Sequence, residues 1–259
     1  MFFKDTNIST NITGATPERV YALCKCVESK KSVSDSDLRK MLEPDYAPPS
    51  NYYSLIRDVA LDLDLIENND FISLKVDSSV IKSIDEMRKF INNNMDKYRR
   101  GMFYAITSAY YNMGISLFKE FKNVTTASAT LSNITGMTIT DVAMRAWRFW
   151  ASFLGFGYLD SMLIIPNAAV FMRDLIIGQN IRKKELLSAD EFFSSMGPAL
   201  RIIVDSSKRT LNYGATAALL TLEQMNVIET TEILDHDVWN LEKIDSSRSQ
   251  IITNVKVKK

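Results

Sequence analysis

Apolar positions at intervals of three and four residues predict a series of short helices in the first part of the chain. Thr16 followed by Pro17 is typical of a helix start, with Thr as the N-cap and Pro at the first helical position. A second start is predicted at Ser34, with Asp37 three residues on. A third helix begins near Ser50, and its apolar stripe consists of Tyr52, Ile56, Val59 and Leu63.

A hairpin signal follows the third helix directly. Residues 65–67 and 71–74 have the pattern of two short strands, and Asn68, Asn69 and Asp70 form the turn between them. Three helices followed by a small hairpin is the order of elements in a winged helix-turn-helix. Residues 1–80 are therefore predicted to form an N-terminal winged-helix unit.

The same ending, a helix followed by short strands, occurs again in the middle of the chain. A helix predicted over residues 140–154 leads into strands at 157–159 and 162–165. Its buried face is predicted from an apolar stripe made of Val142, Ala146, Phe149, Trp150 and Phe153. Met144 and Trp147 lie off this stripe, so both are expected at the surface.

A third ending of this kind is predicted further on. A helix over residues 208–225 continues into a strand at 227–229, and residues 238–241 are the candidate return strand. The three helices stop at residues that suit or tolerate a left-handed backbone, namely Asp64, Gly155 and Asn226.

These patterns predict a mainly α protein with small β-hairpins (α+β), in which two to three winged-helix units surround a helical middle segment. The aromatic residues of that segment are expected to fill a core, and a base-stacking platform is the alternative. The narrower interpretation is that two winged-helix units are present, because the three helix endings are unequally spaced along the chain. The predicted domains are an N-terminal unit (1–80), a helical scaffold with the second unit (81–180), a third unit (181–245) and a polar basic tail (246–259), expected to be mobile.

Composition narrows the class of protein. The chain has 259 residues, of which 46% are hydrophobic, so a globular protein with a sizeable core is expected. Lys plus Arg and Asp plus Glu each total 31, so no overall basic field favours binding to nucleic acid. The first ten residues lack an apolar secretion signal, and charges and Pro166 interrupt the most apolar stretch, residues 146–172. We therefore expect a cytoplasmic protein without a membrane span.

Residues that could carry out catalysis are sparse. There is no Gly-rich phosphate loop, and the single histidine, His236, is expected in a solvated turn. Cys24 and Cys26 are expected to be buried, reduced and structural. The acidic cluster over residues 58–64 has no lysine at the spacing of a nuclease site, and Asp45, Glu120 and Lys122 match a restriction-nuclease signature in letters only. We predict no enzymatic activity, no metal and no cofactor.

Binding is the class of function that remains. In a winged helix the third helix enters the major groove and the wing touches phosphate. In the first unit Asp58 lies beside Arg57 and opposes phosphate, so any DNA contact is expected from the later units, and docking of a protein partner is at least as well favoured as a use of the fold. The candidate DNA-binding residues are Arg145, Arg148, Arg182, Lys183, Lys184, Lys208, Arg209 and Tyr213. The candidates for contact with a protein partner, chosen as apolar residues off the core stripes, are Leu61, Met144 and Trp147.

The passages out of the three helices resemble those that lead into the wing of prokaryotic winged-helix proteins. They read LDLIE over residues 63–67, LGFGYL over 154–159 and MNVIE over 225–229. Tandem winged units around a helical middle resemble the accessory subunits of bacterial anti-phage defence systems, some of which work with SMC-type ATPases. The resemblance implies a subunit of a multi-protein, DNA-directed complex, in which other chains supply an ATPase or nuclease and double-stranded DNA is a further partner. A free-standing winged-helix transcriptional regulator is the alternative.

Overall fold

The structure is a computed structural model. It describes residues 2–4, 12–43, 52–121, 123–160, 163–181, 185–233, 237–244 and 250–258. Within these ranges the chain is mainly helical with small β-sheets, which confirms the predicted α+β class. None of the helices in these ranges combines the length and the hydrophobicity that are needed to cross a bilayer.

The N-terminal elements follow the order helix, strand, helix, helix, strand, strand. They are α1 (Pro17–Lys30), β1 (Ser32–Val33), α2 (Asp35–Leu42), α3 (Tyr52–Asp62), β2 (Ile66–Asn68) and β3 (Ile72–Leu74). The last strand, β3, lies between β1 and β2 and is antiparallel to both. Two helix starts are confirmed, since Pro17 opens α1 and the Ser34 hydroxyl accepts a hydrogen bond from the Asp37 N–H at 3.1 Å.

The middle of the chain is helical and carries a two-stranded hairpin. Its elements are α4 (Ile84–Asn93), α5 (Met102–Asn112), α6 (Leu117–Glu120), α7 (Val124–Thr135), α8 (Asp141–Phe153), β4 (Gly157–Asp160) and β5 (Leu163–Pro166). Phe103, Tyr110 and Tyr111 of α5 are buried, which confirms that aromatic residues here fill a core. The Tyr110 hydroxyl donates a hydrogen bond to the Ile164 carbonyl at 2.5 Å, so α5 holds the hairpin in place.

The C-terminal elements repeat the order of the N-terminal ones, with an insertion. They are α9 (Ala169–Gly178), β6 (Leu186–Ser188), α10 (Ala189–Ser195), β7 (Thr210–Leu211), α11 (Tyr213–Gln224), β8 (Ile228–Thr231), β9 (Trp239–Leu241), β10 (Ile251–Ile252) and β11 (Asn254–Val257). The last strand, β11, lies between β6 and β8 and is antiparallel to both, as β3 is between β1 and β2. The inserted strand β9 pairs with β7 and β10.

Two predictions for this region are wrong. Residues 238–241 are not the return strand of the third ending, because β11 takes that place beside β8. The polar basic tail predicted for residues 246–259 is also wrong for residues 250–258, since Val255 and Val257 are fully buried and Lys256 is paired within the sheet. The repeated order begins at α9, before residue 181.

The predicted helix stops adopt the expected backbone conformation. Asp64, Gly155 and Asn226 have φ angles of 56°, 80° and 55°. Gly155 is also closely packed, because a Cβ atom there would lie 2.5 Å from the Cβ of Val170. The sequence signal for these three helix ends is therefore confirmed.

Helix α8 buries part of the predicted stripe, since Ala146 and Trp150 are buried, but its buried face is shifted toward Met144 and Trp147. Met144 and Trp147 are 5% and 2% exposed, whereas Phe149 is 38% exposed. The indole N–H of Trp147 donates to the hydroxyl of Thr107 at 2.9 Å, and its ring lies 4.7 Å from that of Tyr110. The prediction that Met144 and Trp147 lie at the surface is wrong, because α5 supplies both a polar and an aromatic partner for the indole.

A buried ion pair joins α4 to α9. The carboxylate of Asp174 is fully buried and accepts hydrogen bonds from Arg88 Nε and Asn92 Nδ2, both at 2.9 Å. Asn92 also donates to the carbonyl of Leu154 at 3.0 Å. The cluster thus ties the end of α8 to both helices.

The two cysteines differ in their surroundings, which makes a testable difference in reactivity. Cys24 is fully buried, and burial raises the pKa of its thiol to about 12, whereas Cys26 is half-buried. Because the thiolate is the reactive form, we expect a thiol reagent at pH 8 to modify Cys26 quickly and Cys24 only after unfolding. Mass spectrometry of the intact protein after labelling measures this, and rapid modification of both thiols in the folded protein would contradict it.

Candidate nucleic-acid interface

Helices α7 and α8 are joined by a short turn that is held by side-chain hydrogen bonds. Gly136 ends α7 with a φ of 70°, and the Thr140 hydroxyl caps α8 by accepting from the Ala143 N–H at 3.1 Å. Asp141 accepts hydrogen bonds from the hydroxyls of Thr125 (2.9 Å) and Ser128 (2.7 Å) of α7. The two helices therefore form a fixed pair.

The outer side of α8 carries two arginines. Arg145 is exposed, and Arg148 is half-buried with its guanidinium carbon 5.0 Å from the ring centroid of Phe149. Arg145 lies one helical turn from Asp141, and hydrogen bonds from Ser128 and Thr125 hold the pKa of that carboxyl below its ordinary value. The carboxylate is thus bound to α7, and Arg145 is left as the exposed cation on the outward side of the helix.

The surface next to these arginines is rich in hydroxyl groups and poor in acidic ones. No Asp or Glu occurs between Glu120 and Asp141. Thr138 and Thr140 are exposed on the turn, whereas Thr125 of α7 is exposed but already donates its hydroxyl proton to Asp141. Hydroxyl and guanidinium groups are the donors that proteins commonly offer to DNA phosphates. The DNA-binding candidates named from the sequence do not include these threonines, although the sequence does show that no Asp or Glu occurs between Glu120 and Asp141.

The hairpin that follows α8 exposes apolar side chains. Tyr158 is 56% exposed and Ile165 36%, and the two residues are paired across β4 and β5. Leu159 is also exposed. The exposed side of this hairpin is therefore apolar next to the polar surface of α7 and α8.

The corresponding helix of the N-terminal elements, α3, has its arginine neutralised. Arg57 forms ion pairs with Asp35 at 2.7 Å and with Asp58 at 3.0 Å. The partner candidate Leu61, on the same helix, is half-buried against the core. The guanidinium of Arg57 is therefore already occupied by carboxylates and is poorly suited to phosphate.

The third helix of this kind, α11, contains no Lys or Arg and is covered at its N-terminal end. The Gly214 carbonyl accepts a hydrogen bond from the Ala168 N–H at 3.2 Å, and a Cβ atom on Gly214 would lie 2.8 Å from the Cβ of Pro166. The ring of Tyr213 contacts that of Phe118 at 5.3 Å. The end of α11 that would enter a groove is thus packed against the middle of the chain.

The other basic candidates are not brought together with the two arginines of α8. The helix predicted over 208–225 starts later, at Tyr213, so Lys208 and Arg209 precede it. Arg209 adopts a left-handed conformation and pairs with Asp190 at 2.5 Å and Asp237 at 2.9 Å. Lys208 lies 3.3 Å from Asp205. The remaining candidates lie outside the described residues and are Arg182, Lys183 and Lys184.

The three carboxylates of the acidic cluster predicted over residues 58–64 each bind different partners, so they do not form one site. Asp58 pairs with Arg57, Asp64 pairs with Lys4 and Lys75, and Asp62 is buried. Asp62 accepts the backbone N–H groups of Phe3 and Lys4 at 2.7 and 3.1 Å. Within the described ranges no three His, Cys, Asp or Glu residues are grouped to hold a metal ion, and His236 and Asp45 lie outside those ranges.

Comparisons of the chain with protein-family models, with curated proteins and with solved structures find no match. Function is therefore inferred from the residues themselves. Among the three helices that precede a hairpin or return strand, α8 is the one that joins an exposed arginine, Arg145, and a half-buried one, Arg148, to a hydroxyl-rich segment.

Proposed function

We propose that this chain is a non-enzymatic winged-helix protein whose middle unit contacts duplex DNA through α8 and the turn that precedes it. The observation that carries the proposal is the outward side of α8, where the exposed Arg145 and the half-buried Arg148 follow a segment, residues 121–140, that contains no acidic residue. Such a surface offers cations and hydroxyl donors to phosphate, as DNA-contacting helices do.

The strand order supports winged-helix units at both ends of the chain. In a winged helix a short strand before the second helix pairs with the returning strand of the wing. Here β1 pairs with β3, and β6 pairs with β11. The middle unit has helices α5, α7 and α8 and the hairpin, with α6 in place of the short strand. In this proposal the N-terminal and C-terminal units do not contact DNA themselves, because Arg57 is neutralised and α11 is covered. Their role is to support the middle unit.

Charge reversal tests the DNA contact. We expect Arg145→Glu combined with Arg148→Glu to weaken binding to a short fluorescent duplex by about tenfold or more, because charged hydrogen bonds to phosphate are removed. The slope of log affinity against log salt is expected to fall by about 0.9 for each phosphate that the variant no longer neutralises. Fluorescence anisotropy over a salt series measures both quantities.

The matched control is Lys30→Glu combined with Lys40→Glu, which changes the net charge equally at exposed positions of α1 and α2. This pair is expected to retain most of the affinity, and both double variants are expected to unfold at the temperature of the wild type. Equal decreases in affinity in the two double variants, or a decrease confined to the control pair, would overturn the proposed contact.

A role as a subunit of a larger assembly is favoured by the exposed apolar side of the β4–β5 hairpin. Tyr158 and Ile165 are large apolar residues that lie next to each other on one face of the hairpin, and exposed apolar residues of this kind commonly mark protein interfaces. We propose that a partner subunit of a DNA-directed complex covers them. Native mass spectrometry of the protein expressed with its gene neighbours tests this, and Tyr158→Asp is expected to release the partner. A protein that stays alone and binds one duplex sequence specifically would favour a free-standing regulator instead.

A further inference from the structure

A cavity of about 500 Å³ lies between the C-terminal half of α9 and the junction of α11 with β8. Its inner wall is apolar and includes Ile176, Ile181 and Val227, which are buried. Ile177 and Met225 stand at its rim and are 51% and 45% exposed. The volume falls in the range of about 300–1,000 Å³ that is usual for small-molecule sites. The cavity is separate from the surface of α7 and α8.

One cation faces this apolar cavity. Arg173 lines it, and the Nε atom of Arg173 is buried with no hydrogen-bond partner among the described residues. Buried guanidinium N–H groups nearly always have acceptors, because leaving one unpaired costs free energy. The described lining contains no Asp or Glu. The Nε atom of Arg173 therefore lacks an acceptor among the described residues, and because that atom is itself covered, an anion in the cavity would meet the rest of the half-buried guanidinium side chain.

The neighbouring carboxylate does not fill this role. Asp174 follows Arg173 directly, but consecutive residues point about 100° apart on a helix. Asp174 is bound to Arg88 at 2.9 Å and Asn92 at 2.9 Å, toward α4. Arg173 instead lines the cavity together with Met225 and Val227, which follow α11. The two adjacent charges thus serve different sides of α9.

We propose that this cavity binds a small amphipathic carboxylate, such as an unbranched acid of medium chain length. The apolar tail lies against Ile176, Ile181 and Val227, and the carboxylate accepts hydrogen bonds from the guanidinium of Arg173. Both parts of the ligand are needed: the walls favour burial of methylene groups, and Arg173 favours an anion at one end of the cavity. A ligand here bridges α9 and α11 of the C-terminal unit.

Isothermal titration calorimetry with decanoate, below the concentration at which it forms micelles, tests the proposal on the full chain. We expect one saturable site per protein. Octanoate, which is two methylenes shorter, is expected to bind about fifteenfold more weakly, since each buried methylene contributes about 0.8 kcal/mol. Decanol, with the same tail and no charge, is expected to bind at least about tenfold more weakly than decanoate.

Two variants locate the site. Arg173→Gln is expected to make decanoate and decanol bind equally, and Met225→Glu, which places a carboxylate at the rim, is expected to abolish decanoate binding. Ile134→Glu is the matched control, because Ile134 is 53% exposed on α7, outside the cavity lining, and it is expected to bind decanoate as the wild type does. Absence of a saturable site, equal binding of decanol and decanoate by the wild type, or unchanged binding by Arg173→Gln would each overturn the proposal. None of these outcomes depends on DNA binding.

Discussion

Asp174→Ala is expected to lower the free energy of unfolding by about 3–5 kcal/mol, because it leaves the buried guanidinium of Arg88 without its main partner. Asp174 is fully buried and accepts hydrogen bonds from both Arg88 and Asn92 of α4. Removing it also deprives Asn92 of an acceptor, so the packing of α4 on α9 is weakened from two sides. Urea unfolding followed by circular dichroism measures the decrease.

The other carboxylate on the same arginine provides the control. Asp85 also pairs with Arg88, but its side chain is 63% exposed. Exposed ion pairs contribute about 0–1 kcal/mol, so Asp85→Ala is expected to change stability by no more than this. If the two substitutions cost the same, the buried pair is not what joins α4 to α9.

Trp147→Ala is expected to cost about 3–5 kcal/mol, as is usual when a large aromatic side chain is removed from a core. The indole is almost fully buried, packs against Tyr110 and donates to the hydroxyl of Thr107. Its removal leaves a cavity between α5 and α8. Thermal or urea unfolding of the purified variant measures the effect.

Phe149→Ala on the same helix is the matched control, since that ring is 38% exposed. Surface substitutions usually change stability by about 0.5 kcal/mol or less, so the effect here is expected to be small. If Phe149→Ala were the more destabilising substitution, the buried face of α8 would instead be the apolar stripe predicted from the sequence, and Trp147 would lie at the surface.

The features that could be predicted from the sequence are those fixed by neighbouring residues. The cap at Ser34 and the left-handed helix ends at Asp64, Gly155 and Asn226 depend on local backbone chemistry, and all are confirmed. The buried face of α8 depends on partners far along the chain, since Trp147 is placed by Thr107. A stripe of apolar letters could not reveal that partner.

The candidate site also combines local features that the sequence predicts with long-range contacts that it does not. The spacing of Arg145 and Arg148 on a predicted helix is visible in the sequence, and their place on its outer side follows from the helix itself. The covering of α11 could not be predicted, because it results from Pro166 and Ala168 meeting Gly214 after the units have packed together. Long-range pairing also explains why the sequence does not reveal β11, since its partners β6 and β8 lie far back in the chain.

The position of β11 also sets the order in which the C-terminal sheet forms during synthesis. Its flanking strands β6 and β8 are both made earlier, yet they are joined in the sheet only through β11. Until Asn254–Val257 leave the ribosome, the nascent chain carries two unpaired strand edges, which are prone to association with other chains. The N-terminal sheet likewise waits for its last strand, β3, but β3 follows β1 after a shorter stretch of chain, so its strand edges stay unpaired for less of the synthesis.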